Sequence, residues 1–490
     1  MKTGVRFLFL VVLSLSGLSL AAAKHSLEEP ITRIGHLDKD DTEELIASET
    51  GQNDKNQILE RIGNGIVWKN PPQKESLQKN LTPAEMAENF EILVKAIDRY
   101  FSFFIHKGIE WDSVCQRYRE KLHQTKTTQQ FYQLVYEFIR ELKDAHSWLQ
   151  DYEAASTLDT YAPPISIRRI EGKPVVIDVW KTSKAYREGV RPGWILVSVN
   201  RRPVDRYLEF LGDHVSMSSS ERNLLEKTTR MILCGKRDSL VKPDFLSTEG
   251  KLIRGIELAR SVRYPETEPK LPFGLTKFKT IWYGTHSSGY GYICILTFKG
   301  QMEIADEFDK ALESLRNTKG LIIDIRDNPG GSGICQRRII GRFLTEKAPG
   351  TVNYQRNGPK HADFMENKTF LTPCGDWQYK NPVGLLMNSL TGSASDLFAA
   401  RFVSTGRVIT MGQTTHGNVT GVGVYVHLPC NLVVRVSNGY IADASGRIIE
   451  GNGTEPQVRI EPKIEDARQQ IDGVLERAFM ELEKRCNRTM

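Results

Sequence analysis

Residues 383–402 constrain the fold of this chain more than any other stretch. An apolar run, Val383 to Met387, leads into a turn of small residues, Asn388-Ser-Leu-Thr-Gly-Ser-Ala-Ser-Asp396. The turn opens into an amphipathic helix with Leu397, Phe398 and Phe402 on its apolar side. Such a run reads as a buried strand, and strands that alternate with amphipathic helices stack into a layered core. The pattern recurs from Lys277 onward. Gly289–Thr297 is expected as a strand, Glu303–Leu315 as a helix, and Gly320–Arg326 as a buried strand followed by the turn Asp327-Asn-Pro-Gly-Gly-Ser-Gly333. Strands are expected at Arg407–Met411, Val422–Val426 and Leu432–Val436, with a closing helix over Ile464–Lys484. The fold class is therefore α/β (α+β).

Small residues at the 388–396 turn let backbone approach a ligand closely. A hydroxyl there stands at a helix N-terminus, where the dipole favours developing negative charge. From this segment alone Ser393 and Ser395 fit two roles, a nucleophile or a helix N-cap.

At 490 residues the chain exceeds one domain, and two or three are expected. Its formal charge is +6, two of it from Lys2 and Arg6, with 60 acidic residues interspersed. That balance is no nucleic-acid footprint. Lys2 and Arg6, the apolar run Phe7–Leu20 and Ala21-Ala-Ala23 form a secretory signal, so residues 1–23 are expected to be removed and the mature protein to work outside the cytosol, secreted or periplasmic. No other stretch is long and apolar enough for an integral membrane span. The seven cysteines lack metal-ligand spacing and there is no HExxH pattern, so neither metal nor other cofactor is expected. Five Asn-x-Thr sequons occur, at Asn80, Asn367, Asn418, Asn452 and Asn487.

Residues 24–79 are polar and broken by Gly51-Gln-Asn-Asp54 and Asn70-Pro-Pro72, and are expected to form a leader or a peripheral wrap. Residues 80–158 turn helical. Thr82-Pro-Ala-Glu85 has the form of a capping box, and helices are expected from there, over Trp111–His123 and over Thr128–Leu142. Residues 159–272 change to short strands. Val190-Arg-Pro-Gly-Trp-Ile-Leu-Val-Ser-Val-Asn200 resembles the signature of PDZ domains, with Trp194 where an acidic residue is usual. Such modules bind an extended peptide end by strand addition. Residues 205–270 are taken as the rest of that domain with an insertion, and residues 273–486 as the α/β core.

Three separated segments of the core carry a second resemblance. Gly320-Leu-Ile-Ile-Asp-Ile-Arg-Asp-Asn-Pro-Gly-Gly331, Thr391-Gly-Ser-Ala-Ser-Asp396 and Gly446-Arg-Ile-Ile-Glu-Gly-Asn-Gly-Thr-Glu-Pro456 resemble, in this order, segments of the S41 serine peptidases. These are the tail-specific or C-terminal-processing proteases and the tricorn core. The helical lead-in and the PDZ-like insert before the core match the same order. The resemblance implies a ClpP/crotonase-like layered core, a nucleophile at Ser393, and an oxyanion hole from Gly330, Gly331 and the N–H of Ala394. Unencumbered N–H groups are what such a hole requires.

A serine nucleophile needs a base. Where the processing proteases carry a lysine, this chain has Asn418, which cannot take a proton. The tricorn branch uses a histidine from the helical lead-in and a distant glutamate. That implies His146, in Asp144-Ala-His-Ser147, as general base and Glu450 as the assisting acid, acting directly or through another hydroxyl. His416, close to Asn418, is the competing base. Asp396 is expected as a first-turn acid, and Asp324 and Arg326 as fold-holding residues. The expected function is a serine endopeptidase acting on protein or peptide substrates, whose C-terminal tails the PDZ-like part would recruit. The alternative is an inactive relative that binds peptide or a small hydrophobic ligand.

Overall fold

A computed structural model describes residues 57–73, 75–150, 160–214, 218–263, 271 and 273–489. The expected signal segment and most of the leader lie outside these residues.

The core is a seven-stranded sheet whose strands lie side by side in chain order: β1 (Thr276–Lys277), β2 (Ile281–Thr285), β3 (Gly291–Ile295), β4 (Leu321–Asp324), β5 (Val383–Met387), β6 (Val408–Gly412) and β7 (Val458–Arg459). The first two pairings are antiparallel and the remaining four parallel. Side-chain alternation gives each face its own layer. Ile293, Ile295, Leu321, Ile323, Leu385 and Met387 pack with the helix Met302–Ser314 and with the helix Ala394–Ser404. Tyr292, Cys294, Ile322 and Leu386 point the other way, onto the C-terminal helix Gly473–Thr489. That helix starts later than expected. Residues 464–484 divide at Gln470, whose left-handed backbone (φ 58°) ends the short helix Ile464–Gln469. Arg326 then bridges Asp324 and Asp472, tying the end of β4 to the start of the last helix.

The N-terminal part contributes three helices, α1 (Pro83–Tyr100), α2 (Trp111–His123) and α3 (Thr128–Arg140). The capping box at Thr82 forms as expected, and a second one at Thr127 starts α3. These helices do not stand apart from the rest of the chain. Phe90, Leu93, Phe131 and Phe138 share one apolar cluster with Val424, Val426, Val434 and Val436. Those valines belong to a five-stranded sheet ordered Ile58–Ile62, Gly65–Trp68, Gly423–His427, Val433–Ser437, Trp148–Gln150. The N-terminal hairpin at 58–68 thus pairs with the strand Gly423–His427 near the end of the chain.

Residues 160–263 hold a sheet ordered Leu252–Ile253, Pro243–Leu246, Ile195–Val199, Lys173–Val179, Ile165–Ile170, with a core of its own that includes Val176, Leu196 and Phe245. The stretch expected as an insertion contains two helices, Val204–His214 and α4 (Glu221–Arg230). Among the described residues all seven cysteines are free.

Candidate active site

Parallel pairing sets the site. Leu321 lies opposite Val383 and Asp324 opposite Leu386, so β4 and β5 end together. Their two following turns, 327–331 and 388–393, therefore emerge side by side at the carboxyl edge of the sheet, the usual binding edge of an open parallel sheet. The Gly392 N–H donates to the Asn328 carbonyl at 3.1 Å, and Asn388 Nδ2 donates to Asp327 Oδ1 at 2.8 Å.

Ser393 stands at the N-cap of the helix Ala394–Ser404, hereafter α5, with φ 56° and ψ −122°. A non-glycine residue in this region is strained and persists only when its surroundings over-determine it. Here they do. The buried Asp396 carboxylate accepts the N–H of Ser393 at 3.0 Å, that of Asn418 at 3.1 Å and that of Gly417 at 2.9 Å. Burial pushes Asp396 up to about 6, against the opposing hydroxyl of Thr415 and the two loop N–H groups. Asn418 Oδ1 also accepts the Ser393 N–H. The residue at the lysine position thus grips the backbone of the serine.

The facing loop is built to the same closeness. A Cβ on Gly330 would lie 2.6 Å from the Gly392 carbonyl oxygen, 2.7 Å from the Ala394 nitrogen and 2.8 Å from Ser393 Cβ. One on Gly331 would lie 2.1 Å from the Phe298 carbonyl carbon. Both glycines have positive φ, which an L side chain resists. The three expected oxyanion donors differ. Gly330 N–H donates to Asn328 Oδ1 at 3.0 Å, whereas the N–H groups of Gly331 and Ala394 have no acceptor among the described residues.

His146 follows α3 and stands two residues before the strand Trp148–Gln150, which pairs with Val433–Ser437. Its own N–H donates to Asp144 Oδ1 at 3.0 Å, Ser147 Oγ donates to Asp144 Oδ2 at 2.6 Å, and Arg435 donates to its carbonyl. This short turn carries the imidazole Nε2 to 3.4 Å from Ser393 Oγ. Burial, assisted by Arg435, Lys107 and Lys227 and opposed by Asp144, lowers His146 to about 4. The imidazole is therefore neutral at pH 7 and can accept a proton.

Glu450 is fully buried and does not touch His146 or Ser393 directly. Its Oε1 lies 2.6 Å from Lys107 Nζ, and its backbone carbonyl lies 2.8 Å from His106 Nε2. Burial raises it to about 8, with Asp144 adding to the rise and Lys107 and the Ser219 hydroxyl opposing. His416 is buried too, but its Nε2 lies 3.1 Å from Ser218 Oγ, and its N–H donates to the Thr391 carbonyl at 2.8 Å. It braces the turn that bears Ser393. The stretch 218–223 beside it is a clamp. Arg222 donates to the carbonyls of Thr415 at 2.6 Å and His416 at 2.8 Å, and Asn223 Nδ2 to that of Ser389 at 2.8 Å.

The geometry brings Ser393, His146, Gly330, Gly331 and Ala394 together, with Glu450 one layer behind and His416 on the other side of the turn. Sequence reasoning gave no role to Lys107, Asn328 or Arg222. Asn328 lies within the quoted segment Gly320–Gly331, whereas nothing in the local pattern of Lys107 or Arg222 separates them from ordinary loop and helix residues. Asp144 was adjacent to the singled-out histidine, and its side chain proves to shape that turn.

Known proteins resemble this chain in sequence and in fold. Residues 289–460 match the model of Peptidase family S41, and residues 82–140 that of the Tricorn protease C1 domain. The chain is 24% identical over 325 residues to the carboxy-terminal processing protease CtpB of Bacillus subtilis, covering 63% of this chain and 58% of that protein. It is 23% identical over 411 residues to putative tricorn protease homolog 2 of Streptomyces coelicolor, covering 76% of this chain and 30% of that protein. The chain thus spans less than two thirds of the length of these relatives. In fold it is similar to mature CPAF complexed with lactacystin, with a TM-score of 0.65 and 15% identity over 82% of this chain and 98% of that one.

Proposed function

We propose that this chain is a peptidase of family S41, a serine endopeptidase hydrolysing peptide bonds of protein or peptide substrates through an acyl-enzyme on Ser393. The observation that carries this reading is the 3.4 Å approach of His146 Nε2 to Ser393 Oγ at a strained turn facing two free N–H groups.

Ser393 Oγ attacks the scissile carbonyl carbon as its proton passes to His146 Nε2. The carbonyl oxygen becomes an oxyanion facing the N–H groups of Gly331 and Ala394. Removing one such donor typically costs about 10²–10³ in rate. Collapse of the tetrahedral species breaks the C–N bond, and His146 returns the proton to the leaving amine. Water then repeats the cycle on the acyl-enzyme, with His146 again as base. Glu450 lies behind the imidazole as the assisting acid. Gly330 packs against the serine turn, and Asn328 takes its N–H.

The 159–272 segment is proposed as a PDZ-like domain that recruits substrate tails, and the 1–23 segment as a secretory signal that delivers the enzyme outside the cytosol. Among the described residues no helix is long and apolar enough to cross a membrane.

The test is hydrolysis of an unfolded protein substrate by the purified chain lacking residues 1–23. Cleavage that disappears in Ser393→Ala, with folding retained, is expected. Cleavage that survives in Ser393→Ala overturns the assignment of the nucleophile.

A further inference from the structure

The hydrolytic cycle gives no task to Lys107, a buried cation beside Glu450. The Lys107 side chain is only 8% exposed. Its Nζ lies 2.6 Å from Glu450 Oε1, donates to the Lys143 carbonyl, and sits 5.1 Å from the centre of the Phe103 ring. Behind it lie two unpartnered polar atoms. Glu450 Oε2 and His146 Nδ1 are buried and have no hydrogen-bond partner among the described residues. Asp144, His146 and Glu450 each offer an atom within 4.8 Å of the others. Two carboxylates and an imidazole therefore share one small volume.

A carboxylate removed from water takes up a proton unless a cation or several donors hold it ionised. A second carboxylate nearby makes this worse. Asp144 has its own donors, the N–H of His146 and the hydroxyl of Ser147. Glu450 has Lys107 and the hydroxyl of Ser219. The other cations acting on His146 are Arg435, whose guanidinium is spent on the His146 carbonyl, and Lys227.

We propose that Lys107 is a positioning residue of this active site: its ammonium draws Glu450 toward its carboxylate form in the cluster that also holds the unpartnered Nδ1 of His146, and the enzyme form with that anion behind the imidazole is the one in which Nε2 takes the proton of Ser393. The proposal rests on the peptidase reading. Without Lys107, Glu450 keeps its proton to higher pH and the charge behind the ring is lost. Lys107 touches neither the substrate nor Ser393 in this role.

The test compares the pH dependence of kcat/KM in the wild type, Lys107→Met, Lys107→Arg and Glu450→Gln. Burial already places Glu450 high, so the wild type should show an acid limb set by its ionisation. Lys107→Met should move that limb to higher pH and lower kcat at pH 7, about tenfold for each unit moved, with KM little changed. Lys107→Arg should restore the limb toward its wild-type position, and Glu450→Gln should abolish it. A Lys107→Met limb that coincides with the wild type overturns the proposal. Should Lys107→Met fail to fold, the wild type decides. The carboxyl ¹³C titration of Glu450, assigned with Glu450→Gln, and the Nζ ¹⁵N signal of Lys107 must change over the same pH range; independent titrations overturn the pairing. That measurement needs no catalysis, so a wild type without hydrolysis sinks the peptidase reading and still leaves Lys107 decided.

Discussion

His146 Nε2 lies 3.4 Å from Ser393 Oγ although 247 residues separate the two in the chain. Neither residue is placed by its neighbours in sequence alone. Ser393 stands where β5 hands over to α5, and His146 is held where the strand Trp148–Gln150 joins a sheet that closes beside that turn. The pair exists because the N-terminal helices and the end of the core share one apolar cluster.

That placement separates the two candidate bases. His146→Ala should lower kcat/KM by at least about 10³-fold, as loss of a triad member does. His416→Ala removes a brace against Ser218 and should cost about tenfold or less. Steady-state hydrolysis by both variants decides, and the reverse order would transfer the base to His416.

The closeness of the glycine loop predicts a paired result. Gly330→Ala places a methyl 2.8 Å from Ser393 Cβ, at φ +97°. Gly446→Ala meets a similar backbone, φ +89°, with nothing within 4 Å. Each should lose about 1 kcal/mol or more of stability to backbone strain. Only Gly330→Ala should also lose activity, by about 10²-fold, because the serine turn must shift. Thermal unfolding and kcat/KM, measured together, check this.

Much of the core was legible because its signals are local. The apolar run 383–387 and the glycines after Asp327 mark strand and turn by composition alone, and β4, β5 and α5 form there. The division at Gln470 was not legible, because a left-handed glutamine leaves no compositional mark. Ser393 and His146 were named from motif resemblance. The lysine on Glu450 and the clamp from Arg222 depend on tertiary contacts across 343 and 193 residues of separation, which no local pattern encodes.

The half-buried imidazole also predicts a pH effect on stability. His146 is lowered to about 4 in the fold and titrates near 6.5 when unfolded. As pH falls, the unfolded chain takes up the proton first. The contribution of this residue to stability is therefore complete above about 6.5 and is lost between about 6.5 and 4. His146→Gln lacks that loss, so relative to the wild type it should gain stability over this window, on the order of 1 kcal/mol given the partial exposure of the ring. Urea unfolding of both proteins across the range measures it. A constant difference would mean that His146 titrates alike in both states.

The central claim is that Ser393 is a nucleophile activated by His146. Its most direct test is covalent labelling by a fluorophosphonate, followed by peptide mapping of the modified residue. Wild-type protein is predicted to carry the label on Ser393, Ser393→Ala to carry none, and His146→Ala to label far more slowly. A folded wild-type chain that takes no label at Ser393, or a His146→Ala variant that labels at the wild-type rate, would contradict it.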